Sequence, residues 1–95
     1  MKKRYKIAIV GSGDVGMTLS VLLAQRNDII VLDIDPERVD KINNRQSTII
    51  DTEINTFLRE KDLILSATLD KKVAYLDADF VVIATPTNYD SLTNG

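Results

Sequence analysis

Apolar and polar positions along this chain switch repeatedly between a strand period and a helix period. Residues 5–10, YKIAIV, are almost continuously apolar and predict a strand buried on both faces near its end. After a glycine-rich turn, Val15, Leu19, Leu22 and Leu23 fall at i, i+4, i+7 and i+8. They predict the inward face of a helix reaching about Arg26, where Asn27-Asp28 breaks the pattern. Residues 29–33, IIVLD, predict a second strand, dense in β-branched side chains. Asp35-Pro36-Glu37 then opens a helix: Asp caps free N–H groups, Pro fits the first turn and Glu suits the positive end of the dipole. That helix carries Val39 and Ile42 inward and fades at Asn43-Asn44. Another helix begins near Asp51, with Ile54, Phe57 and Leu58 on one face. Residues 63–68 predict a third strand, 70–76 a short helix and 80–85 a fourth strand, while 87–95 are polar and turn-rich.

The succession β-α-β-α-α-β-α-β is that of an α/β protein. Right-handed crossovers require a parallel sheet, with expected strand order 3-2-1-4 and helices on both faces. A fold of this type would continue past the fourth strand, so residues 1–95 are expected to form a truncated domain with a polar tail from about residue 87. The fourth strand is then an open edge, and self-association through it, or a mobile tail from Thr87, is expected.

Composition narrows the picture mainly by exclusion. The 95 residues, 44% hydrophobic and 27% charged, suffice for one small globular domain. A net charge of −2 argues against a nucleic-acid partner. The basic cluster of Lys2, Lys3, Arg4 and Lys6 reads as a solvated fringe, since no amphipathic helix accompanies it. With no cysteine and no histidine, disulfides, thiolate chemistry and a zinc site are not expected. No apolar run is long enough for a membrane span, and the basic start leads into a glycine turn rather than a signal-peptide core, so a cytoplasmic protein is expected.

The chemistry concentrates after the first strand. Gly11-Ser12-Gly13-Asp14-Val15-Gly16 matches G-x-G-x-x-G, a weak pattern alone but specific between a strand and a helix, with an acid at the end of the next strand. Gly11 permits the tight turn, Gly13 leaves room for a pyrophosphate, and Gly16 lets the helix pack closely. The helix start at Asp14, Val15 and Gly16 offers free N–H groups and partial positive charge to a diphosphate. Asp33 follows at roughly the 20-residue spacing at which an acid takes the adenosine ribose, and its charge favours NAD over NADP. Asp35, before Pro36, is better explained as a helix cap. Arg38 is expected over the adenine or at the ribose. Asp14 puts a negative charge near the diphosphate; it reads as a helix-start or solvated residue that weakens cofactor binding somewhat. Thr85 and Thr87, flanking Pro86, are either turn hydroxyls or hydrogen-bond partners for the nicotinamide-side ribose or diphosphate. The fold expected is therefore a partial Rossmann fold with NAD as cofactor.

These segments, KIAIVGSGDVG, VLLAQRNDIIVLDIDPERVDKINN and ATPTNYD, resemble the UDP-glucose/GDP-mannose dehydrogenase family over essentially the whole chain. The resemblance implies an N-terminal NAD-binding domain in which Asp33 takes the ribose, Arg38 stands at the family's basic position and Thr87 at a threonine used at the cofactor. Asp14 departs from the family, which usually has Tyr there. Family enzymes oxidise the C6 hydroxyl of a UDP-sugar to a carboxylate in two NAD-dependent steps through a cysteine nucleophile that lies far downstream. The resemblance thus implies a UDP-sugar substrate for a full-length parent and no catalytic residue among these 95. Two alternatives stay open: a stand-alone NAD-sensing module without chemistry, and the same domain of a dehydrogenase for another UDP-sugar.

Overall fold

The computed structural model describes residues 3–85. Along that span the elements are β1 (Lys6–Val10), α1 (Asp14–Ala24), β2 (Asp28–Leu32), α2 (Pro36–Asn43), α3 (Thr52–Glu60), β3 (Leu65–Thr68), α4 (Lys71–Tyr75) and β4 (Phe80–Ile83). The four strands form one parallel sheet in the order β3-β2-β1-β4. Register runs through Ile9, which faces Val31 on one side and Val82 on the other. The order reverses direction at β1, and right-handed crossovers place α1, α2 and α3 on one face and α4 on the other. The third and fourth strands are shorter than expected, although just beyond their ends Ile64 O still accepts from Ile29 N and Ala84 N still donates to Val10 O.

The core lies on the three-helix face. Ile7, Ile9, Ile29, Val31, Leu65 and Ala67 from the sheet meet Met17 and Val21 of α1, Val39 and Ile42 of α2, and Ile54 and Leu58 of α3. Ala8 points to the opposite face by strand alternation, and both it and Ala74 of α4 are fully buried. Three helices start as their sequences dictate. The carboxylates of Asp35, Asp51 and Asp70 accept from the N–H groups of Glu37, Ile54 and Lys72.

Helix α1 is turned relative to expectation. Val15 and Leu22 are more than half exposed, whereas Gly16, Met17, Ser20, Val21 and Ala24 are buried; Leu23 alone of the expected face packs on the core. Small residues at 16, 20 and 24 let the helix approach the sheet more closely than a leucine face would. The hydroxyl of Ser20 donates to Gly16 O at 2.6 Å and so enters the interior without an unmet hydrogen bond.

The end of α2 reaches the β3 edge. Arg45 N donates to Ile42 O and Gln46 N to Lys41 O, the two bonds of a Schellman ending, with Arg45 at φ 61° where glycine is usual. Its guanidinium donates to Leu65 O at 2.9 Å and Leu63 O at 2.8 Å. Asn43 pairs twice with Ala67, donating to its carbonyl at 3.0 Å and accepting from its N–H at 2.8 Å. At the other edge, β4 is tied to β1 by Asp79 N to Lys6 O and Ala84 N to Val10 O, and Phe80 meets Tyr5 edge-on at 5.3 Å. Among the described residues no helix is long and apolar enough to cross a membrane, and no group of His, Cys, Asp or Glu is arranged to hold a metal.

Candidate dinucleotide site

The sheet order changes direction between β1 and β4, which opens a crevice between the loops at the C-terminal ends of the strands. Gly11 leaves β1 at φ 101°, and its N–H donates to Leu32 O at 2.8 Å. A side chain there would be strained by the backbone and would press on Thr85 at 3.0–3.2 Å. At Gly16 a Cβ would stand 2.0 Å from Gly11 O, so α1 starts directly against the carbonyl that closes the turn. The close contact is thus with the loop at the end of β1, more specific than the helix–sheet packing expected. Nothing lies within 4 Å of a Cβ at Gly13, which leaves open space in front of the loop.

Helix α1 is the one described helix without a side-chain cap. Its N-cap is Gly13, and the first intrahelical bond is Met17 N to Gly13 O. The N–H groups of its first turn therefore have no intrahelical partner and suit an anion. Asp14 sits there exposed, in keeping with a solvated helix-start residue.

Asp33 is the buried charge of the site, 8% exposed. Its Oδ2 accepts from Ser12 N at 2.9 Å and Ser12 Oγ at 2.6 Å, and its Oδ1 accepts from Asp35 N at 3.0 Å. Arg38 Nη1 stands 3.8 Å from Oδ2, and Arg38 Nε is 3.8 Å from Asp35. Burial pushes the Asp33 carboxyl up. The Ser12 hydroxyl, the Asp35 N–H, the Arg38 charge and the Ser12 N–H together outweigh it and hold the group below its ordinary value. Asp33 is thus ionised at neutral pH and ties the glycine loop to the end of β2.

These groups line one cleft of about 570 Å³. Of the residues expected at the cofactor, Gly11, Gly13, Asp33, Arg38 and Thr85 line it, while Asp14, Val15 and Gly16 stand outside its lining; Thr87 lies outside the described residues. The cleft also takes in Ile34, Leu69, Lys71 and Tyr75, which pattern reading passed over. Ile34 is 95% exposed between two aspartates, and that placement was the available signal. An apolar side chain with no core to enter, just past a strand that ends in a functional acid, is a candidate ligand contact.

Fold and cleft together define a dinucleotide-binding domain of the Rossmann type. The UDP-glucose/GDP-mannose dehydrogenase family, NAD binding domain, matches residues 5–94, and the chain belongs to that family. It is 52% identical over 85 residues to a UDP-glucose 6-dehydrogenase of Streptococcus pneumoniae, covering 90% of this chain and 22% of that protein. To a UDP-glucose 6-dehydrogenase of Campylobacter jejuni it is 44% identical over 91 residues, covering 94% of this chain and 23% of the other. Among solved structures, a ternary complex of GDP-mannose dehydrogenase from Pseudomonas aeruginosa superposes with a TM-score of 0.80 at 28% identity, covering 90% of this chain and 20% of that one. The chain therefore spans about a fifth of the length of these relatives, and its cofactor is NAD.

Proposed function

We propose that this chain is the NAD-holding part of a UDP-glucose 6-dehydrogenase. The observation that carries the reading is an ionised Asp33 in one cleft with the open space at Gly13, the N-cap of the uncapped helix α1. The diphosphate is assigned to the glycine loop and the first turn of α1, where Asp14 and Val15 contribute backbone rather than side chain. Asp33 accepts from the adenosine ribose and repels a 2′-phosphate, with Arg38 alongside. Ile34, Leu69 and Tyr75 offer apolar walls to the adenine. Thr85 and Thr87 serve the nicotinamide side. Bound NAD supplies the hydride acceptor for oxidising an alcohol.

UDP-glucose is preferred to GDP-mannose as substrate because the relatives at 52% and 44% identity are UDP-glucose 6-dehydrogenases, whereas the GDP-mannose dehydrogenase structure is at 28%. The sequence has no cysteine, so the cysteine nucleophile that the family resemblance implies has no counterpart among these 95 residues. Taken alone, the chain is proposed to bind NAD without catalysis, in a cytoplasmic setting.

Calorimetric titration with NAD and NADP tests the cofactor reading. Saturable NAD binding is expected, with NADP weaker and Asp33→Ala losing the preference. A folded chain that ignores NAD would overturn it. An enzyme carrying this domain that formed NADH from GDP-mannose and not from UDP-glucose would overturn the substrate assignment.

A further inference from the structure

An ionised carboxylate offers about four acceptor positions. Three of those on Asp33 are already filled by the chain itself: two on Oδ2 by Ser12 N and Ser12 Oγ, and one on Oδ1 by Asp35 N. Ser12 is fully buried, and its carbonyl in turn accepts from Thr48 Oγ1, so the residue is held at both ends. A ribose presents two adjacent hydroxyls, and a grip on both by one carboxylate needs two free acceptor positions. Only one remains here, on Oδ1.

We infer that Ser12 is a positioning residue that limits Asp33 to a single ribose hydroxyl: its own hydroxyl, 2.6 Å from Oδ2, occupies the place the second would take. This rests on the reading of Asp33 as the ribose ligand. The Ser12 hydroxyl holds the glycine loop in place before the cofactor arrives, at the expense of half the ribose contact. The loop N–H of Ser12, also spent on Asp33, is withdrawn from the diphosphate, which leaves the phosphate contacts to Gly13 and the first turn of α1.

The two possible roles of Ser12 have opposite signs. If its hydroxyl served only to order the loop, Ser12→Ala would weaken NAD binding. If it competes with the ribose, Ser12→Ala lowers the stability of the free chain yet tightens NAD by about tenfold or more, the worth of one hydrogen bond to a charged group.

The experiment compares NAD with its adenosine 2′-deoxy and 3′-deoxy forms by calorimetry, on the chain and on Ser12→Ala. In the unaltered chain one deoxy form is expected to bind about tenfold more weakly and the other within about twofold of NAD. In Ser12→Ala both are expected to lose about tenfold. Equal penalties in the unaltered chain overturn the inference and leave the NAD site standing, and that arm decides even if the variant does not fold. Weaker NAD binding by a folded Ser12→Ala with unchanged deoxy ratios also overturns it. No binding of NAD at all overturns the site reading and this inference together.

Discussion

Along β3, the outward backbone groups of Leu63, Leu65 and Ala67 are taken up by Arg45 and Asn43, whereas along β4 no side chain among the described residues does the same for Val81 and Ile83. Both are edge strands of one four-stranded sheet. An unpaired edge is a template for another strand, and proteins blunt such edges with charge, proline or side-chain cover. At β3 the cover is strong enough to hold Arg45 in a left-handed conformation that costs a non-glycine residue about 1 kcal/mol. At β4 the sequence FVVI carries neither charge nor proline, and Phe80, Val81 and Ile83 are each about half exposed or more. Among the described residues one edge is covered by side chains and the other is bare. We propose that in the 95-residue chain β4 pairs with β4 of a second copy.

Arg45→Ala should break the finished edge most severely. Two carbonyls lose a charged donor, and stability in urea unfolding should fall by about 2–3 kcal/mol. Arg45→Gly removes the same guanidinium but relaxes the backbone, so it should recover about 1 kcal/mol of that loss. Two variants equal to the unaltered chain would show that the clasp closes nothing. Asn43→Ala should follow, at about 1–2 kcal/mol, because Ala67 loses both an acceptor and a donor.

Asp33→Asn is a control that touches neither edge, and its effect depends on pH. The folded carboxyl is held below its ordinary value, so its stabilisation is complete above about pH 4 and is lost as pH falls through the lowered folded value. The gap in melting temperature between the two proteins should therefore close in acid, while the Arg45→Ala gap persists. A gap that is constant with pH would contradict the role given to Asp33. Val81→Lys should be the mildest, within about 0.5 kcal/mol in stability, while abolishing self-association in sedimentation experiments. A chain already monomeric at high concentration would remove the contrast between the edges.

Element order and sheet order were legible because each apolar run is bounded by turn chemistry. Three aspartates, Asp35, Asp51 and Asp70, mark helix starts that the structure places where side chain meets N–H. The inward face of α1 was not legible. Met17 and Val21 are as apolar as Leu19 and Leu22, so periodicity had two answers, and the choice was made by the small residues Gly16, Ser20 and Ala24. Among the site residues, the glycines and Asp33 were readable since their spacing is local. Leu69, Lys71 and Tyr75 were not, because they join the cleft only through the crossover from β3 to β4. Ser12 drew no assignment from the glycine pattern. Its grip on Asp33 exists only once β1 and β2 lie side by side.

Tyr75 gives the cleft an optical property. The sequence has three tyrosines and no tryptophan, so phenol emission from this domain is not masked by indole. Tyr5 sits beside Phe80 at the opposite ends of the strands, while Tyr75, 40% exposed, lines the cleft. A purine entering between Ile34 and Tyr75 would quench that fluorophore at short range, so the protein carries its own unlabelled reporter of occupancy.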